Sequence, residues 1–219
     1  MRRSLVLALL GAVAIGGALA YVARDRLRPG PPLLFVERAE PGFRDLIAPP
    51  GGAGAPAAAF APARPADPSA ATVDLCAALF DDPDAPRFGD GPVTAVYFTD
   101  YRCPYCRVLS DLLARRAAAG GLTVIVKEWP ILGPASTAAA RVALAAARQD
   151  AFAPVHERLM RSAFVPTPAY VAELARELGL DPERLLADAA GPEVAAQLAA
   201  NAALAERLGF QGTPAASAG

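Results

Sequence analysis

Between Pro92 and Trp129 the chain runs PVTAVYFTDYRCPYCRVLSDLLARRAAAGGLTVIVKEW, and no other stretch limits its fold so tightly. The run 92–99 is rich in Val, Thr, Tyr and Phe and carries no charge before Asp100, the pattern of a buried strand. Beyond Cys103, Val108, Leu109, Leu112 and Leu113 recur at helical spacing, and Gly120-Gly121 supplies the stop. Residues 122–129 form a second β-branched run. Strand, helix and strand in that order close most simply as a right-handed parallel crossover, so the spacing predicts an α/β fold. Cys103 and Cys106 then sit where the first strand hands over to the helix, the edge at which open α/β sheets gather ligands and chemistry.

That placement gives the two sulfurs different roles. Pro104 suits a first helical turn, where a missing N–H costs nothing, so Cys103 is expected at or just before the helix start. Free backbone N–H groups and the positive end of the helix dipole there favour thiolate over thiol. Cys103 is accordingly the candidate nucleophile. Cys106, one turn further in on the same face, can close a disulfide with it and is expected to be more buried, as the resolving thiol. Other chemistries compete for the pair. A structural zinc site needs four ligands, and Cys76 and His156 are the only further sulfur or imidazole ligands in the chain. Two soft thiolates also suit Cu(I), as in a metallochaperone, and two inert core cysteines are the plain alternative.

Composition removes other classes. Lys+Arg of 21 against Asp+Glu of 22 leaves a net charge of −1, which argues against a nucleic-acid partner. Three cysteines in 219 residues are too few for a disulfide scaffold, and the odd count leaves one without an internal partner.

Arg2 and Arg3 precede an uncharged apolar run from Leu5 to Val22. Eighteen or so apolar residues at a rise of about 1.5 Å reach roughly 27 Å, enough for the hydrocarbon core of a bilayer. Ala18-Leu19-Ala20 also has the small-x-small form of a signal-peptidase site. Residues 1–28 are thus expected to be a cleaved signal peptide or a retained anchor. Either way the remainder lies outside the cytoplasm, at the periplasmic or extracytoplasmic face of the inner membrane, where disulfides persist. Residues 29–71 turn to Pro, Gly and Ala and are expected to form a flexible tether, with a short strand over Leu33–Val36 as its one candidate element. The folded part is expected over 72–219.

The segment 79-LFDDPDAPRFGDGPVTAVYFTDYRCPYCRVL-109 resembles the start of the catalytic domain in DsbA-family thiol-disulfide oxidoreductases of the thioredoxin superfamily. The block 127-KEWPILGPASTAAARVALAA-146 is similar to the family's next segment, and 209-GFQGTPA-215 to its cis-proline loop, with Thr213-Pro214 as the cis pair. The resemblance implies a thioredoxin-like fold with a helical lobe inserted at about 134–208. The residues agree with such a lobe: Thr167-Pro168, Asp181-Pro182 and Pro192 open helices, and Gly179, Gly191 and Gly209 close them. A thioredoxin fold continues past the cis-proline with two strands and a helix, about 25 residues at average lengths, whereas AASAG alone follows Pro214. The final strands and helix are therefore expected to be missing, which admits a truncated, non-catalytic product as a further reading.

The resemblance also implies an activity and its residues: exchange of disulfides with cysteine-containing exported polypeptides at Cys103 and Cys106. Pro104, Tyr105, Thr213 and Pro214 would contact substrate, no bound cofactor or metal would be needed, and a membrane redox partner would reset the dithiol. Tyr105 stands where the family often has histidine, so one contributor to thiolate stabilisation is absent. Whether the chain oxidises, reduces or isomerises stays open. His156 is expected to be structural or at the surface, Cys76 a buried or half-buried helix residue that is either a free structural thiol or in an intermolecular or regulatory bond, and Trp129 and Phe98 core. Glu128 or Lys127, at the end of the second strand, could relay protons to Cys106.

Overall fold

A computed structural model describes residues 34–37, 44–47, 74–162 and 164–218. Its strands are β1 (Leu34–Glu37), β2 (Arg44–Ile47), β3 (Arg87–Phe88), β4 (Val93–Thr99), β5 (Leu122–Glu128) and β6 (Ala215–Ala218). Its helices are α1 (Leu75–Phe80), α2 (Pro104–Ala118), α3 (Pro134–Ala147), α4 (Phe152–Arg161), α5 (Pro168–Glu177), α6 (Pro182–Ala190) and α7 (Pro192–Arg207).

The expected β4–α2–β5 unit is present, with β4 and β5 parallel from Val93↔Leu122 to Thr99↔Glu128. One mixed sheet in the order β1-β2-β6-β4-β5-β3 holds all six strands. Because side chains alternate along a strand, the sheet sorts them to two cores. Ala95 and Tyr97 of β4 and Val124 and Val126 of β5 pack with α2 to α6, in the cluster that contains both Cys103 and Cys106. Val96, Phe98 and Ile125 pack on the other face with Leu79 of α1 and Leu204 and Ala205 of α7. Each fully buried Leu, such as Leu113 or Leu144, contributes roughly 1.5–3 kcal/mol relative to exposure.

Five helices lie between β5 and β6, and the last three start at the predicted Pro168, Pro182 and Pro192. Thr167 and Asp181 cap α5 and α6 by accepting from Tyr170 N–H and from the N–H groups of Glu183 and Arg184. Trp129 and Phe98 are core residues, as expected, and meet edge to face at 6.4 Å.

The sheet departs from expectation at its far edge. Within the stretch expected to be a tether with one candidate strand over 33–36, residues 34–37 and 44–47 form the antiparallel pair β1 and β2, and β2 pairs with β6 through Arg44↔Ala218 and Asp45↔Ser217. An open β6 would present a row of unpaired N–H and C=O groups, and a second strand satisfies them whatever its composition. Of the two strands expected to be missing after Pro214, the first is present as β6, antiparallel to β4, and β2 lies on its other side. The apolar run 5–22 and most of the expected tether lie outside the described residues; among those described, no helix is long and apolar enough to cross a membrane.

Gly89 fixes the close approach of the β3 end to α2 and β5. It has φ +82°, and an added Cβ would collide with the Leu122 carbonyl oxygen and lie 2.7 Å from Ala117 Cβ. Gly89→Ala is expected to destabilise the protein by about 2–4 kcal/mol, measured as a lower denaturation midpoint at unchanged m-value.

Candidate active site

Cys103 is the N-cap of α2 and Pro104 its first residue, so the backbone N–H groups of the first turn converge on the Cys103 sulfur. Cys106 N–H donates to that sulfur at 3.4 Å. From across the sheet, the cis Thr213-Pro214 bond brings the Thr213 carbonyl within 3.2 Å of Cys103 Sγ, accepting from the thiol. The two cysteines are unbonded, a reduced dithiol. Cys103 retains 3% exposure and Cys106 none, so only Cys103 can be reached by an incoming sulfur.

The electrostatics separate the pair further. The Cys106 thiol, then the Cys106 N–H, Thr213 and the Tyr105 N–H, hold the Cys103 thiol down to about 6 against the opposing effect of burial. Burial, reinforced by the Cys103 sulfur beside it, pushes Cys106 well above the ordinary thiol range. One sulfur is thus a thiolate near neutrality and the other a protonated donor to it. The Thr213 hydroxyl is buried beside these sulfurs with no other hydrogen-bond partner, so its hydrogen serves the thiolate. Thr213→Val is expected to raise the pH midpoint of Cys103 alkylation by about half a unit to one unit, since it removes one hydrogen-bond donor worth roughly 1 kcal/mol.

Asp100 holds the frame around the dithiol. Its carboxylate accepts from Arg102 N–H at 2.7 Å, Ile131 N–H at 2.8 Å, Leu132 N–H at 2.9 Å and Ser136 Oγ at 2.7 Å. Its carbonyl accepts from Cys103 N–H at 3.1 Å. One buried side chain therefore ties the β4–α2 turn to the β5–α3 loop.

The structure places Cys103, Pro104, Tyr105 and Cys106 at the start of α2, with Thr213 and Pro214 opposite. Lys127 does not join them. On β5 it points to the opposite face from the cysteine cluster and pairs with Asp82 at 2.5 Å, so strand alternation removes it as a proton relay. Glu128 faces the cysteine side and accepts from the Tyr101 hydroxyl at 2.7 Å. Burial, only partly offset by His156 and Tyr101, pushes its carboxyl up. His156 is buried and hydrogen-bonded at both ring nitrogens, to Tyr101 and to Ser110. Sequence spacing could not assemble Tyr97, Ser110 and His156; the hint was a lone histidine on an apolar helix face, which needs partners wherever it is buried. Among the described residues no three or more His, Cys, Asp or Glu side chains cluster as a metal site.

Residues 94–219 match the family model of the DSBA-like thioredoxin domain. A thioredoxin-like oxidoreductase from Silicibacter pomeroyi is similar at 43% identity and a TM-score of 0.58, over 65% of this chain and 84% of that one. A periplasmic thioredoxin-like protein from Salmonella enterica serovar Typhimurium is similar at 35% identity and a TM-score of 0.57, over 65% and 82%. A Na(+)/H(+) antiporter of Salinispora tropica is 32% identical over 170 residues, 72% of this chain and 26% of that protein, so the chain spans about a quarter of that relative's length. With its dithiol at the start of α2, its Thr213-Pro214 loop opposite and a helical lobe between β5 and β6, the chain belongs to the DSBA-like thioredoxin domain family.

Proposed function

We propose that this protein donates disulfides to cysteine-containing exported polypeptides through Cys103 and Cys106. The observation that carries the reading is the asymmetry of the pair: Cys103 is held down to about 6 by its neighbours while Cys106 is held protonated and out of reach. A substrate thiolate attacks Cys103 in the oxidised couple, and Cys106 leaves as a thiolate that takes up a proton. A second substrate thiolate then attacks the substrate sulfur of the mixed disulfide and releases Cys103 as a thiolate. The substrate loses two electrons and the dithiol gains them. Because the leaving Cys103 thiolate is stabilised, the reduced couple is favoured, which supports oxidation of substrate over its reduction.

An extended substrate chain would pair with the Thr213 backbone beside Pro214 and lie against Pro104 and Tyr105, an edge-strand mode that fixes geometry with little sequence preference. Residues 1–28 support an extracytoplasmic location, either exported or anchored through 5–22. A membrane redox partner would accept the two electrons and restore the disulfide.

The test is the rate of disulfide formation in a reduced, unfolded substrate, set beside insulin reduction, for the wild type and Cys103→Ser. Substrate oxidation that is fast in the wild type and at background in Cys103→Ser is expected. Equal rates in the two proteins would sink the reading, and insulin reduction outpacing oxidation would reverse its direction.

A further inference from the structure

His156 on α4 has 5% exposure, and both ring nitrogens are engaged. Nδ1 lies 2.8 Å from the Tyr101 hydroxyl, itself 2.7 Å from Glu128 Oε1. Nε2 lies 3.2 Å from Ser110 Oγ, which lies 3.2 Å from the Tyr97 hydroxyl. Tyr97 donates to the Cys106 carbonyl at 2.9 Å and accepts from Thr99 Oγ1 at 2.9 Å. One hydrogen-bonded chain thus runs from a buried carboxyl on β5, through the helical lobe, to the backbone of the resolving cysteine.

A count of protons sets the direction of that chain, because each hydroxyl has one hydrogen to give. If Tyr97 donates to Cys106 and Ser110 donates to Tyr97, then His156 Nε2 must be the donor to Ser110. Two arrangements provide this. In the first, His156 is an imidazolium, its Nδ1–H donates to Tyr101, and Tyr101 donates to the Glu128 carboxylate. In the second, a protonated Glu128 donates to Tyr101, Tyr101 donates to Nδ1, and Nε2 carries the imidazole hydrogen. Both hold one proton more than an ionised Glu128 beside a neutral His156. Without that proton the chain can run backwards: Nδ1–H donates to Tyr101, Ser110 to Nε2 and Tyr97 to Ser110, and the Cys106 carbonyl loses its phenol.

We propose that His156 is a positioning residue for the dithiol: its Nε2–H, acting through Ser110 and Tyr97, holds the Cys106 carbonyl and the first turn of α2, and a proton shared with Glu128 decides whether it does. This rests on the reading of Cys103 and Cys106 as a thiol-disulfide couple. The first turn matters because Cys106 N–H meets the Cys103 sulfur at 3.4 Å, and a looser turn weakens that stabilisation of the thiolate. The lobe thereby tunes the couple from beneath.

The surroundings leave Glu128 as the carboxyl that can share a proton with the imidazole through Tyr101. Phe88 of β3 and Phe152 of α4 flank the imidazole without charge. Asp100, near Glu128, is committed to Ile131, Leu132 and Ser136. Asp111 pairs with Arg115, Glu157 with Arg161, and Arg107 donates to the carbonyls of Tyr101 and Ser162. A cavity of about 620 Å³ between α2 and α4, lined by Ser110, His156, Ala114, Pro154 and Met160, gives the imidazole a route for proton exchange with solvent.

The experiment is the equilibrium of the full chain with glutathione as a function of pH, with alkylation of Cys103 as a second readout. His156→Phe keeps the aromatic packing and removes both nitrogens; Ser110→Ala leaves His156 in place and cuts the link to Tyr97. Each is expected to shift the equilibrium constant about threefold to tenfold toward the disulfide form, tenfold being ~30 mV for this couple, and to raise the alkylation midpoint. The double variant should shift no further than either single one, because the residues act in series. His156→Gln, which returns a donor to Ser110, should recover most of the shift, and the pH dependence seen in the wild type should flatten in His156→Phe. An unchanged constant in folded Ser110→Ala, or additive effects in the double variant, overturns the proposal. A wild-type dithiol that does not equilibrate with glutathione overturns the functional reading itself, a distinct result from a wild type that equilibrates and variants that match it.

Discussion

Cys106→Ser is expected to accumulate a mixed disulfide between Cys103 and substrate, visible by mass as an adduct that reductant removes. Cys106 has no exposed surface and is pushed above the ordinary thiol range, so it reacts only when a disulfide is presented at Cys103. With Cys106 gone, Cys103 remains at the helix start with its N–H and Thr213 neighbours and can still attack an oxidised substrate. No internal thiol is then in line to release it: Cys76 is exposed on α1, whose Leu79 packs on the opposite face of the sheet. Because no Cys103–Cys106 disulfide can then form, substrate oxidation should fall by at least about 100-fold, while attack of the Cys103 thiolate on an oxidised substrate is kept. A Cys106→Ser protein that turns over at the wild-type rate would show that Cys106 does not resolve the intermediate.

Lowering Cys103 to about 6 also makes the stability of the reduced protein depend on pH. An unfolded thiol ionises near the reference value of 9, and the folded one near 6. Between these limits the unfolded chain binds more protons than the folded one, so folded reduced protein gains stability as pH rises from about 6 to about 9, by up to ~1.4 kcal/mol per pH unit. The gain is lost as pH falls through 6. The disulfide form has neither thiol to titrate and should not share this slope. Thermal melts of the two forms from pH 5 to pH 8 check it: the difference between their midpoints should close on the reduced side as pH rises.

The second large effect is structural. Asp100→Ala should destabilise the protein by about 3–5 kcal/mol and lower Tm by roughly 10 °C, because the Arg102, Ile131 and Leu132 N–H groups and the Ser136 hydroxyl lose one common acceptor in a buried position. Ser136→Ala removes one donor and leaves three, and should cost about 1 kcal/mol. If Asp100→Ala melts with the wild type, the carboxylate is not the tie between the β4–α2 turn and the β5–α3 loop.

The parts of this fold that were legible in the sequence carry their information locally. Val93–Thr99 and Leu122–Glu128 announce strands by β-branched and aromatic content, Pro104 and Gly120 bracket α2, and Pro168, Pro182 and Pro192 mark helix starts at their own positions. The dithiol could be placed because a strand end, a helix start and two cysteines coincide within a few residues. The edge of the sheet had no such signal. Ala215–Ala218 has no β-branched residue, and its strand character comes from pairing with β4 on one side and β2 on the other. Arg44–Ile47 lies among prolines and glycines, where composition argues for a tether, and its partner is far away in sequence. The network behind Cys106 was hidden for the same reason: Tyr97, Ser110, Glu128 and His156 come from four elements, and only the completed fold brings them together.

Arg44 pairs with Ala218, so residues far apart in sequence meet in one sheet. A chain made from its N-terminus presents β2 well before β6, and the contact closes across a long span of sequence. Loop closure over that span comes late and slowly compared with the β4–α2–β5 unit, whose contacts are short in sequence. The redox helix and its flanking strands can therefore assemble while the edge that carries the Thr213-Pro214 loop is still open. Folding of this protein would finish at the loop facing its own nucleophile, so the site becomes competent in the last step.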